Sequence, residues 1–111
     1  MRRKDTSATP LGTPPTLPLE ALFEWERLPA GMTLHETPGV SVADGDTVYL
    51  LTRNQKNPVV VLSQEGEFLR TFGTGTFTNR THAILAGQDV LIYCADDGSH
   101  TITKWSPRAS S

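Results

Sequence analysis

Apolar residues occur along this chain in short bursts, and glycine, proline, aspartate or asparagine separates one burst from the next. Short β-strands joined by tight turns produce that pattern. The predicted strands are residues 23–28, 39–42, 48–53, 59–62, 68–72, 83–86, 90–94 and 101–105. Residues 19–26 could instead form a short helix. The sequence therefore predicts an all-β fold.

Two of the breaks have the composition of hairpin turns. They read ADGD at residues 43–46 and QEGE at residues 64–67, which places Gly45 and Gly66 where a hairpin turn needs a positive φ. We expect each turn to join two antiparallel strands.

Charge and cysteine content exclude several classes of protein. Ten basic and twelve acidic side chains give a formal net charge of −2, which argues against a nucleic-acid-binding surface and against a polybasic membrane patch. Cys94 is the only cysteine, so an intrachain disulfide and a thiolate metal cluster are both excluded. No apolar run approaches the roughly twenty residues that span a bilayer, and no signal-peptide core follows the basic start. We expect a soluble, cytoplasmic protein.

Residues 1–18 are rich in proline, threonine and serine. Four prolines disfavour a helix there, and the segment has too few apolar side chains to offset the entropy of ordering. We expect a disordered tail before a single folded region at residues 19–111. A proline-rich ligand for a partner domain is the functional alternative.

Similar residues recur at a spacing near 43. Gly39 and Val40 precede Ala83 and Ile84 by 44 residues, and residues 59 and 62 precede residues 102 and 105 by 43. Residues 48–51 likewise match residues 90–93 at an offset of 42. A period of this length with four short strands is typical of a β-propeller blade.

Three motifs carry a resemblance to a known family. GVSVADGDTVYLLTR at residues 39–53 and EFLRTFG at residues 67–73 resemble NHL-type repeats, and FTNRTHAI at residues 77–84 resembles the Phe-x-x-Pro-His-Gly-Ile entry to the next blade. Together they look most like the first two blades of the six-bladed propellers related to peptidyl-α-hydroxyglycine α-amidating lyase. The resemblance implies an incomplete propeller of about two four-stranded antiparallel blades, with a closing-type strand at 23–28, blade one at 39–73 and incomplete blade two at 82–107.

The resemblance assigns His82 to a zinc site. In the lyase family a histidine at this point is one of three zinc ligands, each from a different blade, and neutral imidazole suits zinc. His35 and His100 do not occupy family ligand positions. The alternative is that His82 is a hydrogen-bonded side chain at a strand entrance. The resemblance thus implies zinc as a cofactor, but a complete zinc site would need ligands from further blades of the propeller.

The same resemblance implies two further roles. Arg53 matches the family's active-site arginine, although the family's Arg-Gly-x-His is Arg-Asn-Gln-Lys here, and the alternative is a solvated arginine at a strand end. A guanidinium suits the orientation of an anionic group. The backbone carbonyls of Val40 and Ile84 match a calcium site, but a calcium ion normally takes six to eight oxygens.

Two functional hypotheses follow. The first is a fragment of a lyase-like propeller, a C–N lyase acting on peptidyl-α-hydroxyglycine when intact, which is inactive alone because its site is incomplete. The second is a non-catalytic propeller module that binds a protein, or another copy of itself, through open blade edges. Whether this chain is an enzyme is left open by the sequence.

Overall fold

A computed structural model of the chain describes residues 2–3 and 21–109. The described residues form an all-β fold with one short 3₁₀ turn, Asp44–Asp46. The strands are β1 (Arg2–Arg3), β2 (Leu22–Phe23), β3 (Gly39–Val42), β4 (Val48–Leu51), β5 (Val59–Leu62), β6 (Phe68–Phe72), β7 (Thr81–Ala86), β8 (Ile92–Asp96) and β9 (Thr101–Trp105). All pairs between these strands are antiparallel. The predicted fold class is confirmed at this level.

Two sheets contain most of the strands. The first sheet has the order β3-β4-β5-β6 and the second has the order β7-β8-β9. Strands β3 and β4 of the first sheet pack against β7 of the second. The sheets therefore meet mainly where β7 lies against β3 and β4.

The predicted strands at 39–42, 59–62, 68–72 and 101–105 have the bounds observed for β3, β5, β6 and β9. The prediction at 23–28 differs from the structure. Of that range, Phe23 alone lies in a strand, at the end of β2. Arg27 makes a single isolated parallel bridge to Glu67. Glu24 lies at φ 59, a left-handed conformation that interrupts an extended segment and also excludes the alternative helix. The predicted disordered tail lies outside the described residues except for β1, which pairs with β2.

The hydrophobic core lies between the two sheets. Alternation along the strands directs one set of side chains of the first sheet, its front face, toward the second sheet. This front face consists of Tyr49, Leu51, Val59, Val61 and Phe72. Ile84, Ile92 and Cys94 form the inner face of the second sheet and belong to the same cluster. Burial between the faces is therefore the main stabilising contribution.

Trp105 lies at the margin of this core. Its ring centroid is 5.1 Å from that of Phe72 and 5.9 Å from that of Phe77. The ring of Trp105 thus joins β9 to the outermost strand of the first sheet. The backbone of Trp25, by contrast, lies against the turn at Gly66, where an added Cβ would be 2.1 Å from the Trp25 carbonyl oxygen. Glycine is required at that contact.

Two pairs of turns have the same hydrogen bonds. Ala43 N–H donates to the Thr47 carbonyl and Asp46 N–H to the Ala43 carbonyl; 44 residues later, residues 87, 91 and 90 repeat both bonds. The bond from Gly66 N–H to the Ser63 carbonyl recurs 43 residues later between Ala109 and Ser106. The turn after β9 is therefore like the turn after β5.

The strand pairing in the structure corrects the offset of 42 residues inferred from the sequence between residues 48–51 and 90–93. Val42 pairs with Val48 and Ala86 pairs with Ile92, so β4 matches β8 at 44 residues rather than 42. The cause lies at Val90, which the sequence placed in a strand. Its φ is 61, close to the 63 of Asp46, so Val90 belongs to the turn and β8 begins at Ile92.

Within residues 2–3 and 21–109, no helix has the length and apolar character needed to cross a bilayer.

Candidate functional site

The two sheets are joined at one end by hydrogen bonds among Thr52, Arg53 and Thr81. The buried Thr81 hydroxyl donates to the Thr52 carbonyl at 2.6 Å, and the Arg53 Nε donates to the Thr81 carbonyl at 3.2 Å. Arg53 is half-buried at the end of β4, and its backbone N–H donates to the Glu36 carbonyl. Its guanidinium thus links the sheets, a contact that the sequence did not predict.

His82 directly follows Thr81 and is exposed. The register shifts between Thr81 and Ala83, so His82 is the extra residue of a β-bulge at the start of β7. Bulges redirect side chains and are frequent beside functional sites. The structure thus brings the two side chains expected from the resemblance, Arg53 and His82, to the same end of adjacent strands.

His82 lies in a shallow depression of about 340 Å³ together with His100, Asp96 and Asp97. Within the described residues, no group of three or more His, Cys, Asp or Glu side chains is arranged to hold a metal ion. A zinc ion needs three or four such ligands, so the described part of this chain does not by itself fit the expected zinc site. His82 could supply one ligand of a larger site.

The two residues expected to offer carbonyls to calcium lie on neighbouring strands. Val40 is in β3 and Ile84 in β7, and both strands are the edge of their sheets. The strands come so close that a Cβ at Gly39 would lie 3.2 Å from the Ile84 Cγ2 and 3.3 Å from the Ile84 nitrogen. Two carbonyls remain too few to hold a calcium ion.

Asp96 organises the loop that leads into the second sheet. Its carboxylate is 2% exposed and accepts hydrogen bonds from the Thr78 N–H, the Thr78 hydroxyl and the Gly98 N–H. Burial acts to raise the pKa of Asp96, but these hydrogen bonds from Thr78 and Gly98 outweigh it and lower the pKa. These hydrogen bonds hold the loop at Thr78 and the turn at Gly98 against the end of β8, so the role of Asp96 here is structural.

A cleft of about 480 Å³ opens between the sheets at the opposite end, bordered by the turns after β3 and β7. Arg70 lies in it and donates to the Tyr49 hydroxyl at 3.2 Å, to the Ala109 carbonyl at 3.0 Å and to the Pro107 carbonyl. The guanidinium of Arg70 also lies 5.9 Å from the Tyr49 ring centroid. Sequence reasoning missed this cleft because its residues come from four separate segments. Its cation already holds the chain after β9 in place.

The second sheet has a face that nothing in the described residues covers. Alternation directs Ala83, Leu85, Tyr93, Ala95 and Ile102 away from the first sheet, and we call them the outer face. Leu85 is 60% exposed and Ile102 is 76% exposed. At one end the Tyr93 hydroxyl donates to Asp89, which lowers the pKa of the Asp89 carboxyl and raises that of the Tyr93 phenol.

The first sheet is also open in part on its far side, which we call the back face. Val40 and Val42 of β3 point away from the second sheet and are 59% and 58% exposed. Further out on the same face, Val60 and Leu62 of β5 are fully buried. The exposed part of the back face is therefore confined to the side of β3.

Cys94 lies on the inner face and is fully buried. Burial raises the pKa of its thiol to about 12, so the thiolate is essentially absent at neutral pH. Cys94 acts as a small apolar side chain between the sheets.

Comparison of the chain with protein-family models finds no match, and comparison with curated proteins likewise finds none.

Proposed function

We propose that this chain is a two-blade unit of an NHL-type β-propeller and that it acts as a binding module. The observation that supports this proposal is that the strand pairs and turns of the two sheets match in register. Equal hydrogen-bonded turns and equal strand pairs align the first sheet with the second at offsets of 44 and 43 residues. Sheets of one design stacked face to face are the building principle of a propeller.

The alignment gives two outer-face residues, Ile102 and Tyr93, buried counterparts in the first sheet. Ile102 corresponds to Val59 and Tyr93 to Tyr49, both of which lie in the front face that the second sheet covers. The outer face of the second sheet thus has the position at which a propeller adds its next blade. A sheet face with large exposed aliphatic side chains is a surface for another protein sheet.

The contacts of the expected catalytic residues support binding over independent catalysis. Arg53 donates to a backbone carbonyl between the sheets, and His82 lacks the further ligands of a metal centre among the described residues. A guanidinium engaged in this way positions strands rather than substrate.

An activity assay tests the proposal. The full chain is incubated with a peptidyl-α-hydroxyglycine and zinc, and release of glyoxylate is measured. We expect no release above that of the buffer, for the wild type and for His82→Ala alike. Release that is abolished by His82→Ala or Arg53→Ala, but not by the exposed-site control Lys56→Ala, would contradict a purely binding role.

A second candidate function rests on the hydrogen bond between Arg53 and the residue that precedes His82. Because Arg53 binds the carbonyl of the residue before His82, both could contribute to a composite lyase-like site completed by residues from elsewhere. In an intact relative, zinc would polarise the substrate hydroxyl. A zinc titration monitored by calorimetry tests this contribution: we expect weaker binding after His82→Ala than for wild type, and equal binding removes His82 from this candidate.

A further inference from the structure

We propose that the chain binds a second copy of itself head to tail, with the outer face of the second sheet of one copy against the back face of the first sheet of the next. This inference rests on the proposed binding function and specifies its partner. The four exposed aliphatic side chains that mark the two faces are Leu85 and Ile102 on the outer face and Val40 and Val42 on the back face.

The contact within the chain provides the template. Ile84 and Ala86 of β7 direct their side chains toward β3 of the first sheet, where they approach Gly39 and Ser41. A hydrogen bond from the Ala86 N–H to the Ser41 hydroxyl, 2.8 Å long, fixes the two strands in register. β7 and β3 are thus packed edge strand to edge strand.

The same contact can form between two copies. Val40 and Val42 occupy the positions in β3 that Ile84 and Ala86 occupy in β7, 44 residues later. On the other side, Leu85 of β7 occupies the position of Ser41 in β3. One copy therefore presents both halves of an interface that it already forms once internally.

Both surfaces have the composition needed for a sheet-to-sheet contact. The back-face strand β3 reads GVSV and the outer-face strand β7 presents Ala83 and Leu85, without a charged side chain in either set. The charged exception on the outer face is Lys104, which pairs with Tyr93 in the register. Faces that are apolar apart from one lysine favour another apolar sheet over a polar ligand.

The same comparison predicts a weaker contact than the internal one. Leu85 has no hydroxyl to accept the bond that Ser41 accepts from Ala86. In addition, Val60 and Leu62 are already covered, so the second copy can contact the back face at β3 and β4 only. We therefore expect reversible, concentration-dependent association.

Head-to-tail contacts are heterologous, because two different surfaces meet and each end copy keeps one surface free. Such an assembly grows beyond a dimer and either closes into a ring or continues. An isologous dimer, in which two outer faces meet, would stop at two copies.

Sedimentation velocity of the full chain over a concentration series tests association. Leu85→Lys and Val40→Lys each place a charge in one of the two faces, and Val90→Lys is the matched control, since Val90 is as exposed as Leu85 but lies in a turn outside both faces. We expect each face variant to weaken association at least about tenfold and the control to leave it unchanged. Ile102→Lys and Val42→Lys repeat the test if either variant melts early.

Mixing the two face variants tests the direction of the contact. The Leu85→Lys copy keeps its back face and the Val40→Lys copy keeps its outer face, so an equimolar mixture should form a heterodimer that grows no further. Each variant alone should sediment as a monomer at the same concentration.

Three results overturn the inference: a wild type that stays monomeric at every concentration, association that Val40→Lys leaves unchanged, or a mixture that stays monomeric. These results concern self-association alone. Failure of the proposed binding function would instead appear as glyoxylate release in the activity assay, so the two failures are distinguishable.

Discussion

In the first sheet, strand β5 (Val59–Leu62) has all four side chains fully buried, whereas in the second sheet the corresponding strand β9 (Thr101–Trp105) has Ile102 76% exposed. Both strands are the third of their sheet and are followed by a turn with the same hydrogen bond. The difference lies in their surroundings: the second sheet covers Val59 and Val61 on the front face, and the back-face side chains Val60 and Leu62 are covered as well. The outer face of the second sheet has no neighbour among the described residues. Strand alternation thus determines which way a side chain points, and stacking determines whether it is buried.

The largest effect is expected from truncating the side chain that fills the space between the sheets. Phe72→Ala should reduce the free energy of unfolding by about 3–5 kcal/mol, because Phe72 is fully buried against Trp105. Ile102→Ala, on the open face, should stay within about 0.5 kcal/mol of wild type. Urea denaturation of the two variants at low protein concentration measures both. Similar losses would mean that the outer face is covered in solution.

Asp96→Asn tests the polar anchor of the second sheet. The substitution replaces one of the two accepting carboxylate oxygens with an amide NH2 group, which cannot accept, so at least one donor such as the Thr78 N–H loses its partner at a cost of about 1–3 kcal/mol. Asp97→Asn is the control, because Asp97 forms an exposed ion pair with Arg80 that contributes little. Thermal or urea unfolding at neutral pH should separate the two.

The same carboxylate gives the wild type a pH dependence. Its pKa in the fold is lowered, so its contribution is fully present above the unfolded-state pKa of about 3.9 and is lost as the pH falls through the lower folded-state value. Between about pH 5 and pH 3, the wild type should therefore lose more stability than Asp96→Asn. Parallel slopes for the two proteins would show that Asp96 is not hydrogen-bonded as described.

A smaller loss is expected at the joint between the sheets. Thr81→Val removes the hydroxyl that donates to the Thr52 carbonyl and should cost about 1 kcal/mol or somewhat more, since the carbonyl is left without this donor. Thr101→Val removes a hydroxyl that faces solvent beside Ser99 and should have almost no effect. If Thr81→Val is equally neutral in urea denaturation, the joint does not contribute to stability.

The smallest effect is a gain in the turn of the second sheet. Val90 adopts φ 61, which is unfavourable for a β-branched residue, while the corresponding Asp46 of the first sheet adopts φ 63 with a residue type that tolerates it. Val90→Asp should therefore stabilise the chain by about 1 kcal/mol. A lower midpoint of thermal unfolding would indicate that the Val90 side chain packs in the adjacent cleft.

Local patterns predicted the strands because each is a short apolar burst bounded by turn residues. The bounds of β5 and β9 followed from sequence, and so did the turn at Gly66. Val90 could not be placed, because an apolar residue gives no local sign of the left-handed conformation that its turn imposes. Strand order and the stacking of the sheets depend on contacts distant in sequence.

Sequence motifs proposed Arg53 and His82 as site residues but did not predict their contacts. A motif located Arg53 and His82, yet no spacing indicated that Arg53 binds the Thr81 carbonyl or that His82 lies in a bulge. The three hydrogen bonds of Asp96, at the end of β8, were not predicted, because they depend on how the loop at Thr78 folds back. Such contacts arise only after the two sheets have packed.

The turn after β9 is a point at which the gene can be extended so that the chain gains one more strand. Ser106 accepts from the Arg108 N–H as Ser63 accepts from the Glu65 N–H, so the turn up to Ala109 matches the turn that leads through Gly66 to β6. Codons 67–80 joined after codon 109 should therefore add a fourth strand alongside β9. Protection of the β9 amides from hydrogen exchange would report whether the added strand has paired.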